Sequence, residues 1–359
     1  MTIAWILKED RMAPEERVKS MLSGKAVDRV GFYLMARGFC AKNTNLPIHS
    51  FYSDPRKSFE SQAWIKQMFG HDQNLRLSPG IGAWEFNGEI KMPRDEDDFN
   101  PTVVRYPVRS EEDVWNLELP DVTTAGWAPL AMEFSKFQDR AGIMATVRSG
   151  TPLTIADQMC GTELLRLWME RRHPVVHRVL EVVTEFCIKL TQSWIMVFSA
   201  ENVEPQISAS KEATLVTSPD TFKEYVLPYT EELYKRLLAM GVKQIFTHLC
   251  GDQNSNLPYW KEMSFGNPGI VSIGHEVDLH TAIKHLGESC IIAGNVSTEV
   301  LRTGTPREVY ELSKQCLEKG KKAPRGFMLA PACELHPLSP SCNVWAMKKA
   351  INDFGWFIK

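Results

Sequence analysis

Residues 218–250, SPDTFKEYVLPYTEELYKRLLAMGVKQIFTHLC, decide the fold. Ser218 stands as an N-cap ahead of Pro219 at the first helical position, apolar residues recur at helical spacing, and Gly241 closes the helix. KQIFTHLC (243–250) then reads as a short apolar strand. Helix followed by strand repeats down the chain: a helix near 255–264, strand GIVSIG (269–274), a helix through DLHTAIKHLG, strand SCIIAGN (289–295), a helix over 306–319, strand RGFMLAPAC (325–333) and a last helix over 341–354. Four βα units in a row make an α/β protein with a parallel sheet, either a (β/α)8 barrel or a doubly wound sheet.

Upstream, strands are expected at DRVGFYLM (28–35), IMATVRS (143–149) and VEPQISAS (203–210), with long helices covering 163–198. The stretch 70–125, rich in Pro, Gly and Asp, reads as a loop-rich insertion with short strands, and residues 1–27 as a helical extension. No change of composition marks a second domain, so 1–359 is expected to form a single TIM barrel.

Composition narrows the function. An apolar share of 43% and a charged share of 24% are those of a globular chain with material for a large core. The net charge of -3 and the lack of long like-charge blocks point away from nucleic acid and anionic membranes, and towards a small ligand. MTIAWILKEDR places acids where a secretory leader needs a basic region, and no apolar run reaches the ~18 residues of a membrane span, so a cytoplasmic protein is expected. The 8 cysteines are scattered and include no CxxC pair, which suits buried small hydrophobes or metal ligands better than disulfides.

Two of those cysteines stand out. His248 and Cys250 are two residues apart at the end of the KQIFTHLC strand and so point to one side, and Cys333 ends the RGFMLAPAC strand at the same rim. Parallel α/β folds keep their active sites at that rim. One His and two Cys make a thiolate-rich set suited to Zn²⁺ with a fourth position open to substrate or water, although burial of cysteine as a hydrophobe accounts for an isolated HxC equally well. DLHTAI (278–283) is close to the cobalt-ligating DxHxxG box, but Ile283 replaces its glycine and the segment reads as an amphipathic helix. GIGAW (80–84) lacks the third glycine of a dinucleotide loop.

The stretch 218–252 resembles a segment of the uroporphyrinogen decarboxylase superfamily in which an SP..F..F.LPY helix leads into a strand ending in HxCG. IIAGNVSTEVLRTGTPREVYE (291–311), GFMLAPACELHPLSPSCNVWAM (326–347) and SGTPLTIADQMCGTELLRLWMERRHPVVHRVLEVVTE (149–185) are similar to other segments of the same superfamily, in order. The resemblance implies a uroporphyrinogen decarboxylase-like (β/α)8 barrel. Its HxC…C pattern is that of the zinc-dependent corrinoid methyltransferase branch, similar to methylcobalamin:coenzyme M methyltransferase and its bacterial relatives. Carried over residue by residue, this implies zinc held by His248, Cys250 and Cys333, a cobalamin (corrinoid) on a separate partner protein, and a small thiol or methyl ether, such as a methoxylated aromatic, as methyl donor or acceptor.

The decarboxylases of the superfamily carry RQAGR and FSDI motifs. Here MARGFCAKN keeps only Arg37, and LSPGIGAWEFNG has no aspartate, so tetrapyrrole decarboxylation is the alternative reading, beside a non-catalytic zinc protein that binds a corrinoid partner. Glu85, Glu276, Asn295 and Glu334 are further candidates for substrate contact or a fourth ligand, with a helix cap or a solvated loop residue as the plain alternative for each, and Arg37 is a candidate for holding a substrate carboxylate, with pairing to a core acid as its alternative. His275 and His336 are expected at the surface or behind the ligands.

Overall fold

The computed structural model of the protein describes residues 9–77 and 82–357. The leader-like start of the chain and the first two residues of GIGAW therefore lie outside the described residues. Among the described residues nine strands form: β1 (Gly31–Phe32), β2 (Glu89–Lys91), β3 (Thr102–Arg105), β4 (Ala145–Gly150), β5 (Val203–Ala209), β6 (Phe246–Leu249), β7 (Gly269–Ile273), β8 (Cys290–Val296) and β9 (Phe327–Pro331). β2 and β3 make a separate antiparallel hairpin, and the other seven form a parallel sheet in the order β1-β9-β8-β7-β6-β5-β4.

The gap between β1 and β4 is filled by residues 71–77, HDQNLRL, which run as the eighth stave without a regular ladder. Asp72 N donates to Phe32 O (2.6 Å) on one side, and Thr146 Oγ1 donates to Leu75 O (3.1 Å) on the other. Gln138 Nε2 also donates to Leu75 O (2.8 Å), and Asn74 Nδ2 to Met144 O (3.0 Å). Side chains from both sides of the join thus satisfy backbone that a ladder would otherwise pair: Gln138 and Thr146 bond the stave's Leu75 O, and the stave's Asn74 bonds Met144 O. The sheet closes on itself, and the fold is a (β/α)8 barrel.

Apolar side chains divide between two cores. The barrel lumen is filled by Tyr33, Met35, Phe246, Ile270, Ile291 and Met328, with Tyr33 stacked on Phe246 at 5.0 Å. A larger core lies between the strands and the surrounding helices. At the N-terminal foot, Asp72 accepts from Arg17 Nη1 (2.6 Å), Arg29 Nη1 (3.1 Å) and Phe32 N (2.7 Å), tying the eighth stave to β1.

Three expected elements differ in detail. The helix expected over 218–241 starts as predicted, with Ser218 Oγ accepting from Thr221 N, but it divides into Pro219–Tyr225 and Leu227–Ala239 because Pro228 brings no N–H to the break. The helical stretch 163–198 divides at Pro174 into Thr162–Glu170 and Val175–Phe198. The helix near 255–264 shrinks to Leu257–Trp260. Among the described residues no helix is long and apolar enough to cross a membrane.

Candidate metal centre

His248 sits one residue before the end of β6 and Cys250 just past it; Cys333 lies two residues beyond β9. Backbone bonds from neighbouring strands fix both strand ends: Cys250 N donates to Ala209 O (3.1 Å) and Ala332 N to Val296 O (2.8 Å). Gly251 turns the chain away from the rim with φ +73, where a Cβ would also meet Ala213 Cβ at 3.1 Å. The glycine behind Cys250 is therefore required by the backbone at this point.

The three side chains converge, one ligand atom from each lying within 4.8 Å of the others. Cys250 Sγ and Cys333 Sγ are 3.8 Å apart. Two sulfurs each about 2.3 Å from a tetrahedral zinc would be about 3.8 Å apart, so the pair fits one ion without rearrangement. His248 Nδ1 is 3.1 Å from Ser272 Oγ on the adjacent β7, while its Nε2 is buried and has no hydrogen-bond partner among the described residues. One ring nitrogen oriented by a neighbour, with the other left to a ligand, is the arrangement metal-binding imidazoles adopt. The S–H of Cys250 and the adjacent His248 ring hold the Cys333 thiol well below its usual range, so the cluster favours a thiolate.

The cluster opens into a cavity of about 230 Å³. Met35, Ile207 and Phe246 supply apolar wall, and Arg37, Arg76, Arg148, Gln206, Ser208 and Glu334 supply the polar lining. Arg37 and Glu334, two of the sequence candidates, both face this cavity, but they are bound to each other by a close ion pair. Arg37 is thus paired with an acid beside Cys333, which is the plain alternative to gripping a substrate carboxylate.

Of the other three candidates, Glu85 and Asn295 lie elsewhere, and Glu276 stands at the rim; the Cys333 bond, burial and the Glu276 charge together push the Cys250 thiol up. Glu85 is buried and accepts from Gly82 N (2.8 Å) and Trp127 N (3.4 Å), away from the cluster, and burial pushes its carboxyl up to about 7. Asn295 is committed to the backbone, donating to Gly274 O (2.9 Å) and Val277 O (2.8 Å). Glu276 is exposed beside His275 at the rim. His275 is exposed, and His336 is half-buried against Phe99. The segment DLHTAI is a helix start with Asp278 as its N-cap.

Sequence reasoning passed over Arg76, Arg148, Gln206, Ser272 and Glu212. Glu212, just beyond β5, is fully buried, accepts from Thr151 and Thr154, and is pushed by burial up to about 7. A charged or polar residue inside an otherwise apolar strand, as in ATVRSG and VEPQISA, was the available signal.

Comparison with known proteins agrees with this architecture. The family model described as Uroporphyrinogen decarboxylase (URO-D) matches residues 13–354. The methylcobamide:CoM methyltransferase MtbA of Methanosarcina acetivorans is 27% identical over 134 residues, 37% of each chain. The methylated-thiol–coenzyme M methyltransferase of Methanosarcina mazei is 25% identical over 209 residues, 56% of this chain and 51% of that one. The chain thus spans about a third to a half of the length of these curated relatives. A solved structure titled methyltransferase from Methanosarcina mazei superposes with a TM-score of 0.81 at 19% identity, covering 96% of this chain and 99% of that one, which is agreement in fold. With the family model running from the first described helix to the last, the chain belongs to the uroporphyrinogen decarboxylase family.

Proposed function

We propose that the protein is a zinc-dependent methyltransferase, working as one barrel domain, which moves a methyl group between a corrinoid carried by a separate protein and a small thiol or methyl ether. The observation that carries this reading is the thiol pair at 3.8 Å beside a buried His248 Nε2 that has no other partner. The likeness to corrinoid-linked coenzyme M methyltransferases supports it from sequence.

Zinc bound by His248, Cys250 and Cys333 would supply Lewis acidity, keeping a substrate thiol deprotonated yet nucleophilic or easing the departure of an alkoxide. The chain's own part is orientation and exclusion of water. Ser272 holds the His248 ring, β6 and β9 present one thiol each from separate strands, and the Arg37–Glu334 pair keeps the wall beside Cys333 in place. Met35, Ile207 and Phe246 supply the apolar wall of the cavity, and the open strand ends leave a face for a flat macrocycle to approach.

Tetrapyrrole decarboxylation is less well served, because Arg37 is already neutralised by Glu334. Metal analysis and methyl transfer from methylcobalamin to a panel of thiols test the proposal. About one zinc per chain is expected in the native protein, with both zinc and transfer lost in Cys333→Ser. Full zinc occupancy in that variant, or equal transfer by metal-stripped protein, would overturn it.

A further inference from the structure

The cavity beneath the cluster holds more positive charge than its own side chains neutralise. Arg37 is matched by Glu334, but among the described residues neither Arg76 nor Arg148 has a carboxylate within ion-pairing distance. Arg76 is 4% exposed; its Nη1 reaches only the neutral Gln206 Oε1, at 3.4 Å, and its Nε has no partner. Arg148 makes no hydrogen bond or ion pair among the described residues, and burial together with the neighbouring Arg76 and Arg37 disfavours its charge. Guanidinium does not give up its proton in proteins, so the cost is carried as unpaired charge.

The acids nearby are already engaged. Glu334 is bound to Arg37, Glu204 accepts from Asn74 (2.9 Å) and Gln206 (3.0 Å), and Glu85 accepts from Gly82 N (2.8 Å). None of these acids lies within ion-pairing distance of Arg76 or Arg148. The thiols of Cys250 and Cys333, as thiolates, would be offset by the divalent ion they hold. A buried pair of cations without a counter-ion is costly unless an anion arrives.

Strand register places this pair relative to the cluster. Arg148 is level with Gln206, and Gln206 with Phe246; the next inward-facing row towards the mouth is Gly150, Ser208, His248 and Ser272. The Cα of Arg148 therefore lies one row deeper than that of His248, about 6.6 Å along the strands, and Arg76 meets the same row through Gln206 Oε1.

We propose that Arg76 and Arg148 form an anion anchor at the floor of the cavity, which selects a small organic acid whose carboxylate binds there while its thiol or ether end reaches His248, Cys250 and Cys333. This rests on the methyl-transfer reading for the reactive end of the substrate, and on the orphaned guanidiniums alone for the acidic end. The row spacing suits a carboxylate and a heteroatom at opposite ends of one aromatic ring, or of a short alkyl chain.

The test is calorimetric binding to the full chain, zinc-loaded and chelator-stripped, of two matched pairs: 4-methoxybenzoate with 4-methoxybenzamide, and 3-mercaptopropionate with its amide. Each pair keeps shape and reactive end and removes the charge. Charge-assisted bonds to two buried guanidiniums predict roughly 10- to 100-fold tighter binding of an acid than of its amide. Arg148→Gln and Arg76→Gln should lose that preference, while Arg148→Lys should keep part of it. The native comparison of acid with amide decides the matter even where a glutamine variant fails to fold. Equal binding of acid and amide in both pairs, or no binding of either acid at millimolar concentration, would overturn the anchor. Because binding is read without methylcobalamin, acid selectivity in a protein devoid of zinc and transfer would sink only the methyl-transfer reading. Charge-blind binding in an active zinc enzyme would sink only the anchor.

Discussion

Asp72→Ala probes the join that closes the barrel and carries Arg76 into the cavity. Asp72 is buried and accepts three bonds, from Arg17 Nη1 (2.6 Å), Arg29 Nη1 (3.1 Å) and Phe32 N (2.7 Å). Around it, Arg17 is also gripped by Asp28 (2.7 Å) and Arg29 by Asp10 (2.6 Å), with Lys348 at 3.6 Å from Asp10. Three cations thus face three carboxylates, and removing Asp72 leaves one buried positive charge unmatched. Both arginines keep another partner, so the loss falls within the usual range for breaking a buried pair, about 3–5 kcal/mol. Unfolding entropy of roughly 2.1 cal/mol/K per residue over 359 residues is about 0.75 kcal/mol/K, so the melting temperature should fall by about 4–7 °C. Asp72→Asn should lose nearly as much, since an amide preserves volume but not charge, and would turn an N–H towards one of the arginines. Differential scanning calorimetry with circular dichroism as a check on folding reads both variants. A shift below about 1 °C in either would refute the reasoning, because it would mean that the foot of the barrel tolerates an uncompensated guanidinium.

Two further outcomes follow from the site. Ser272→Ala frees the His248 ring from its bond at 3.1 Å and should weaken zinc by roughly 10- to 100-fold in a chelator competition, at a stability cost of only about 1 kcal/mol; unchanged affinity would remove Ser272 from any positioning role. Glu85, whose carboxyl burial raises from its ordinary 4.5 to about 7, binds its proton more tightly folded than unfolded. Its contribution to stability is therefore full below about pH 4.5 and declines as pH rises to about 7, a decline that Glu85→Gln should abolish in urea titrations at pH 5 and 7.5.

Much of the architecture was legible because it is local. N-caps, prolines at helix starts and short apolar strands recur from residue 218 onward, and Ser218, Pro219 and the Thr305–Glu308 capping box all act where their spacing places them. The stave 71–77 was not legible, since its backbone is satisfied by Gln138, Asn74 and Thr146 rather than by a ladder, and polar residues in sequence read as loop. Nor could helix breaks at Pro174 and Pro228 be told from tolerated prolines without the packing around them.

By itself the sequence determined that parallel βα units follow one another, and that His248, Cys250 and Cys333 stand at strand ends on one rim, because periodicity and strand direction are set by neighbours along the chain, while closure into a barrel was implied by the resemblance of its motifs to this family. Only the tertiary structure decided which charges are free. Arg37 is matched by a glutamate 297 positions away, while Arg76 and Arg148, on two different staves, have no carboxylate within ion-pairing distance among the described residues. Pairing across a barrel depends on register and curvature, which bring together residues that no spacing relates.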